Sequence, residues 1–147
     1  MNLLPDKDLI TAACRGMPTL TTNPMLDAAA ELAVLHQTRE CTPWSRLREI
    51  DAQRAQLMHT VDLWVTLATP IPFPAARINS QTVGQVVDQL AELTMQAFAA
   101  LADAPDPVLY DAQVRLDEMA AAYQDLMDEL AAGTRRVPSV AAVLKPP

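Results

Sequence analysis

The chain has 147 residues, half of them apolar and only six aromatic, with a formal net charge of −7. That length fits a single domain over 1–147 that buries roughly 70% of its unfolded surface, so neither disulfides nor a metal is needed to supplement the core. The acidic balance excludes a nucleic-acid surface, which needs clustered Lys and Arg, and the one adjacent basic pair, Arg135-Arg136, is too small for a lipid-binding patch.

Pro and helix-capping residues punctuate the chain. A short first helix is predicted from Asp6 or Lys7 to about Arg15, ending at Gly16. Asn23-Pro24 opens a second helix, with an N-cap followed by Pro at the first helical position. Thr42-Pro43 and Asp106-Pro107 open the third and last helices by the same signal, and Asn79 or Ser80 opens the fourth. The third helix, about Pro43 to Ala68, carries the seam Leu47, Ile50, Arg54, Leu57, Val61, Trp64 and Ala68, at alternating spacings of three and four. The fourth, about Gln81 to Ala102, places Val83, Val87, Leu90, Phe98 and Leu101 on its apolar face. The last, about Pro107 to Ala132, repeats the seam with Leu109, Ala112, Leu116, Met119, Tyr123, Leu126 and Leu130 before a Gly133 stop. No segment alternates with period two, so strands are not predicted.

These elements define an all-α fold: an antiparallel four-helix bundle with a short extra N-terminal helix and an extended C-terminal tail. The core is expected over about 20–133, with 134–147 irregular. The short Cys41–Pro43 connection makes helices two and three antiparallel neighbours. The Ala68–Asn79 segment, with Pro70, Pro72 and Pro74, reads as a stiff connector. The N-terminus lacks a signal-peptide pattern and no run approaches the ~18 apolar residues of a membrane helix. The expected location is therefore the cytoplasm, with Cys14 and Cys41 as free thiols and no metal or cofactor.

One polar constellation stands out. Arg54 falls inside the third helix's apolar stripe, with Asp51 and Asp62 on its edge, and His36 sits amid the apolar face of the second helix. His36 lies about five residues before its helix ends, or ~7.5 Å at 1.5 Å per residue, which places it opposite Leu47 to Asp51. His36, Asp51 and Arg54 are thus expected to meet, with Arg39 and Glu40 within reach. A buried Arg must be paired, and Asp51 is the natural partner. The cluster is either a satisfied network that fixes helix register or a pocket in which Arg54 clamps an anion and His36, oriented by Asp51, moves protons. A di-metal carboxylate site would need Glu-x-x-His motifs, which the sequence lacks. His59 is expected to be exposed, and Trp44 and Trp64 to anchor packing.

Leu35-His36-x-x-Arg39, Glu49-Ile50-Asp51-x-x-Arg54-x-x-Leu57, Val61-Asp62-x-Trp64-Val65 and Thr82-x-Gly84-x-x-Val87-Asp88-x-Leu90-Ala91 resemble an uncharacterised bacterial family of small helical proteins, the domain of unknown function forty-two fifty-four. The resemblance spans roughly residues 20 to 135. It implies a helical bundle and adds Asp62, Thr82 and Gly84 to the residues of interest, but it brings no activity. Where the family commonly shows His-Thr-Glu-Thr, this chain has Asn79-Ser80-Gln81-Thr82, amides in place of groups that move protons. The functional expectation is a homo-oligomeric interaction or binding module, a homodimer above all, or one meeting another protein through its acidic face. The alternative is an enzyme or small-anion binder using His36, Arg39, Asp51, Arg54, Asp62 and Thr82.

Overall fold

The computed structural model describes residues 3–138. Its elements are α1 (Lys7–Cys14), α2 (Pro24–Glu40), a 3-10 turn (Trp44–Arg46), α3 (Leu47–Ala68), β1 (Arg77–Ile78), α4 (Val83–Asp103), α5 (Asp106–Ala132) and β2 (Arg135–Arg136). The fold is all-α.

The helix starts explain themselves locally. Asn23 accepts from Met25 N, so the N-cap expected there forms, and Asp6 caps α1 by accepting from Leu9 N. Two others do not. The Thr42 hydroxyl donates back to the Thr38 carbonyl, and a 3-10 turn delays α3 until Leu47. The start of α5 is Asp106 itself, with Pro105 before it and no side-chain cap. For α4 the cap is Thr82, not Asn79 or Ser80: its hydroxyl accepts from Gln85 N while Gln85 Oε1 accepts from Thr82 N, a reciprocal capping box. Gly133 takes the left-handed conformation, φ 77°, that stops α5.

The packing centres on α4, which touches α1, α2, α3 and α5. Among the described residues α5 meets α4, α1 and β2 but neither α2 nor α3. The short α1 fills the place beside α2 and α5, with Leu4, Ile10, Ala13 and Cys14 in the core, so the core begins well before residue 20. The Tyr123 hydroxyl, fully buried, donates to the Pro5 carbonyl and fastens this N-terminal segment to α5. Burial pushes the Cys14 thiol up to about 12, which makes it a packing group and not a nucleophile.

Cross-helix contacts give the directions. Arg39 meets Asp51, so α2 and α3 run antiparallel as expected; Arg54 meets Asp88 and Asp62 meets Gly84, so α3 and α4 do too. It follows that α2 and α4 are parallel, staggered so that His36 near the end of α2 lies beside Asp88 near the start of α4. The connector between α3 and α4 turns back at one end of the molecule, where Phe73 N donates to the Gly133 carbonyl and β1 pairs in parallel with β2. This pairing gives order to Arg135–Arg136, in a segment expected to be irregular; the rest of that tail, 139–147, lies outside the described residues. Ile71 and Phe73 of the connector are exposed.

On the helix faces, the seams of α3 and α5 bury Ile50, Val61, Leu116, Tyr123, Leu126 and Leu130 as expected. Along α4 the buried face continues through Ala91, Thr94, Ala97 and Ala100, which leaves Phe98 and Leu101 outside it and exposed. Trp44, expected to pack, is 88% exposed, because the 3-10 turn carries it beyond the first turn of α3. His59 is half-buried and not exposed. Trp64 packs against the core, with its indole Nε1 buried and unpartnered.

Gly84 sets the α3–α4 distance: a Cβ there would collide with the carbonyl group of Met58. In an open helix, Gly84→Ala would add up to ~1 kcal/mol of stability. Here the expected result is a loss of about 1–3 kcal/mol from forced separation of the helices, read as a lower midpoint in urea. An unchanged or raised midpoint would contradict the close approach.

Candidate functional site

Three helices meet at Asp88. It projects from α4 between Gly84 and Ala91, and only 6% of it is exposed. His36 Nε2 of α2 lies 2.9 Å from its Oδ1. Arg54 of α3 grips both carboxylate oxygens, Nε to Oδ1 at 3.1 Å and Nη2 to Oδ2 at 2.6 Å, the forked geometry of a strong Arg–carboxylate pair. The remaining guanidinium nitrogen, Nη1, donates to Asp51 Oδ1 at 2.9 Å. Asp51 in turn accepts from Arg39 Nε at 3.0 Å and Nη2 at 3.3 Å. The result is a continuous relay, His36–Asp88–Arg54–Asp51–Arg39, whose two guanidiniums are matched by two carboxylates.

Burial alone would push the Asp88 carboxyl up, but the hydrogen bonds from His36 and Arg54 outweigh it and hold the group below the usual carboxylate range. Bonding to Arg39 and Arg54 likewise holds Asp51 down, and bonding to Asp88 holds Arg54 up. All four charges are therefore present at neutral pH. An ionised carboxylate only accepts, so the imidazole must carry its proton on Nε2 toward Asp88.

Of the residues picked out by sequence, His36, Arg39, Asp51 and Arg54 do come together, with Asp51 pairing Arg54 as expected. His36 does not bond Asp51; its partner is Asp88, across 52 residues of sequence. Sequence reasoning missed Asp88, although it stands inside the stretch that carries the family resemblance. The usable signal was the one that marked Arg54: a charge at a helical position whose neighbours three and four residues away include Gly84 and Ala91.

Asp62 and Thr82 form a second, separate place. Asp62 Oδ1 accepts from Gly84 N at 2.7 Å, one of the first α4 amides, which have no partner within their own helix, and Thr82 stands close by. Burial nevertheless pushes the Asp62 carboxyl up, more than Gly84, Thr82 and His59 pull it down.

A groove of about 820 Å³ opens beside the relay, between the C-terminal halves of α2 and α4. His36, Arg39 and Arg54 lie along its floor, Met95, Phe98 and Ala99 along one wall, and Glu40 and Glu92 at its sides; Asp51 and Asp88 do not line it. The cluster is therefore paired within the protein and also borders open volume. Among the described residues no group of His, Cys, Asp and Glu is arranged to hold a metal ion, and no helix is long and apolar enough to cross a membrane.

Removing one partner from such a network strands a buried charge. Asp88→Asn is expected to destabilise the protein by about 3–5 kcal/mol in chemical denaturation, since Arg54 loses its counter-charge. The native carboxyl is depressed, so its contribution is complete above the unfolded value of about 3.9 and is lost as pH falls through the lower folded value. Stability of the unmodified chain should thus drop below about pH 4, and the variant should show a flatter acid limb. Equal acid limbs would deny Asp88 this role.

No curated protein and no solved structure matches this chain. Residues 35–139 match the model of a family described as protein of unknown function, DUF4254.

Proposed function

The chain belongs to the DUF4254 family of proteins of unknown function, and we propose that it is a cytosolic interaction module, not an enzyme, that associates with a second copy of itself. One observation carries the reading: four of the six aromatic side chains, Trp44, Phe73, Phe98 and Tyr110, are exposed. Aromatic rings dominate cores and interface hot spots, and a chain with so few of them has little reason to leave most in water. Trp44 at 88% and Tyr110 at 73% exposure sit at the same end of the molecule, on the α2–α3 connection and the first turns of α5. Val108 and Leu101 are exposed nearby in sequence, and apolar side chains left in water at one end of the molecule are the kind that a stable interface covers. A two-fold dimer is the commonest way to cover such a surface with a second copy.

Small-anion binding at the polar cluster finds less support. Each guanidinium already holds a carboxylate, so an arriving anion would have to compete with Asp51 or Asp88.

Sedimentation velocity at tens of micromolar tests the proposal. The expected species is a dimer, converted to monomer in the double variant Trp44→Ser, Tyr110→Ser with its helical circular dichroism retained. A monomeric parent chain at that concentration would sink the reading.

A further inference from the structure

The groove between α2 and α4 has one feature that neither the packing nor self-association explains. His36 is 8% exposed and its Nε2 is committed to Asp88, yet its other ring nitrogen, Nδ1, has no partner in the protein. Among the described residues Trp64 Nε1 is the one buried side-chain polar atom lacking a partner, so His36 Nδ1 is not sealed in; it opens on the groove that His36 lines. In the neutral imidazole the ionised Asp88 keeps the proton on Nε2, and Nδ1 then presents a lone pair: a hydrogen-bond acceptor, held rigidly, at the floor of an open volume.

The charge around it has a definite sign. The floor arginines are neutralised from behind by Asp51 and Asp88, which do not line the groove. The carboxylates that do line it, Glu40 on α2 and Glu92 on α4, are exposed and form no ion pair among the described residues, although Glu92 accepts from Gln96 and lies close enough to Arg39 to stabilise its charge. The C-terminal end of α2, at Cys41, also borders the groove and adds the negative end of its dipole, offset in part by Arg39 in its last turn. Acceptors and negative potential therefore face inward, beside an apolar wall of Met95, Phe98 and Ala99.

We infer that this groove is a binding site for a small amphiphilic amine: an ammonium head that donates to His36 Nδ1 and sits between Glu40 and Glu92, with an apolar body along Met95 and Phe98. Phe98, 62% exposed and on the wrong side of α4 for the core, gives the face that a cation and an apolar chain both favour. The volume of about 820 Å³ is that of a small-ligand site. Phe98 is common to this site and to the exposed aromatics that suggest self-association, but Trp44 and Tyr110, the residues whose substitution tests self-association, do not line the groove.

Calorimetric titration of the full chain at low salt, with matched probes, tests it. Octylamine and 2-phenylethylamine should bind saturably, and octanoate and 3-phenylpropionate at least about tenfold more weakly. Ethylamine, which has the head without the body, should also be at least about tenfold weaker. The double variant Glu40→Gln, Glu92→Gln changes only exposed side chains and should keep the parent's melting temperature while weakening the amines about 5- to 10-fold. Bound octylamine should move the imidazole Nδ1 nitrogen resonance of His36 and leave the Nε2 proton in place. Equal binding of amine and carboxylate, a preference for carboxylate, no saturable binding of either amine, or an unaffected double variant would each overturn the assignment.

Discussion

A carboxylate taken out of water is tolerated only where strong donors surround it, and Asp88 obtains its donors from two other helices. That requirement fixes more than one contact. For Arg54 to grip both oxygens, α3 must lie antiparallel to α4 at one register; for His36 to reach the same carboxylate, α2 must lie parallel to α4 at another. A slide of either helix by one turn, 5.4 Å, would strand the charge. Apolar side chains of similar volume would hold the helices at least as tightly, but they tolerate neighbouring registers far better. The relay is best understood as a register device whose energetic contribution is dominated by what its disruption would cost.

The same interface explains why Gly84 and Asp62 stand where they do. One turn before Asp88, α4 comes so close to α3 that only a hydrogen fits against the Met58 carbonyl. The close approach lets Asp62 reach the Gly84 amide, which lacks a partner inside its own helix. The α3–α4 contact is thus short-range and polar, whereas α4 meets α2 through the one polar pair His36–Asp88 amid apolar side chains and packs on α5 and the small α1 through its apolar face. An eight-residue helix covers only ~12 Å, so α1 cannot fill the whole length beside α2 and α4. The groove opens between the C-terminal halves of those two helices.

How much of this was legible in the sequence depends on how far apart the deciding residues lie. The helices and most buried faces follow from periodicity, which is local. Asp51–Arg54 and Arg39–Asp51 follow from helical spacing and one short connection. Asp88 did not follow, because the α3–α4 connection runs through three prolines and sets no register by itself. The placement of α5 was likewise hidden: seams reveal that a face is buried but not against which helix. Caps were missed where two plausible residues competed within four positions, as at Asn79 to Thr82, and the reciprocal bond of Gln85 decided between them. Phe98 and Leu101 belong to the same class of miss, since only the centre of α4's buried face, set by four neighbouring helices, says that Ala97 points in and Phe98 does not.

The polar cluster changes meaning once its charges are matched. Seen in the sequence, His36 and two arginines suggest a place for an anion. In the fold each arginine faces an aspartate, and that interaction is at least as strong as one with a mobile ligand carboxylate, because the partner is already held in position. Binding capacity then resides in the groups left over. These are the second nitrogen of the His36 ring, an acceptor in the neutral imidazole, and the carboxylates of Glu40 and Glu92, all of which favour a donor of positive charge. The network that locks the helices also orients the imidazole, so one buried carboxylate settles both the register of the bundle and the sign of the ligand its groove can accept.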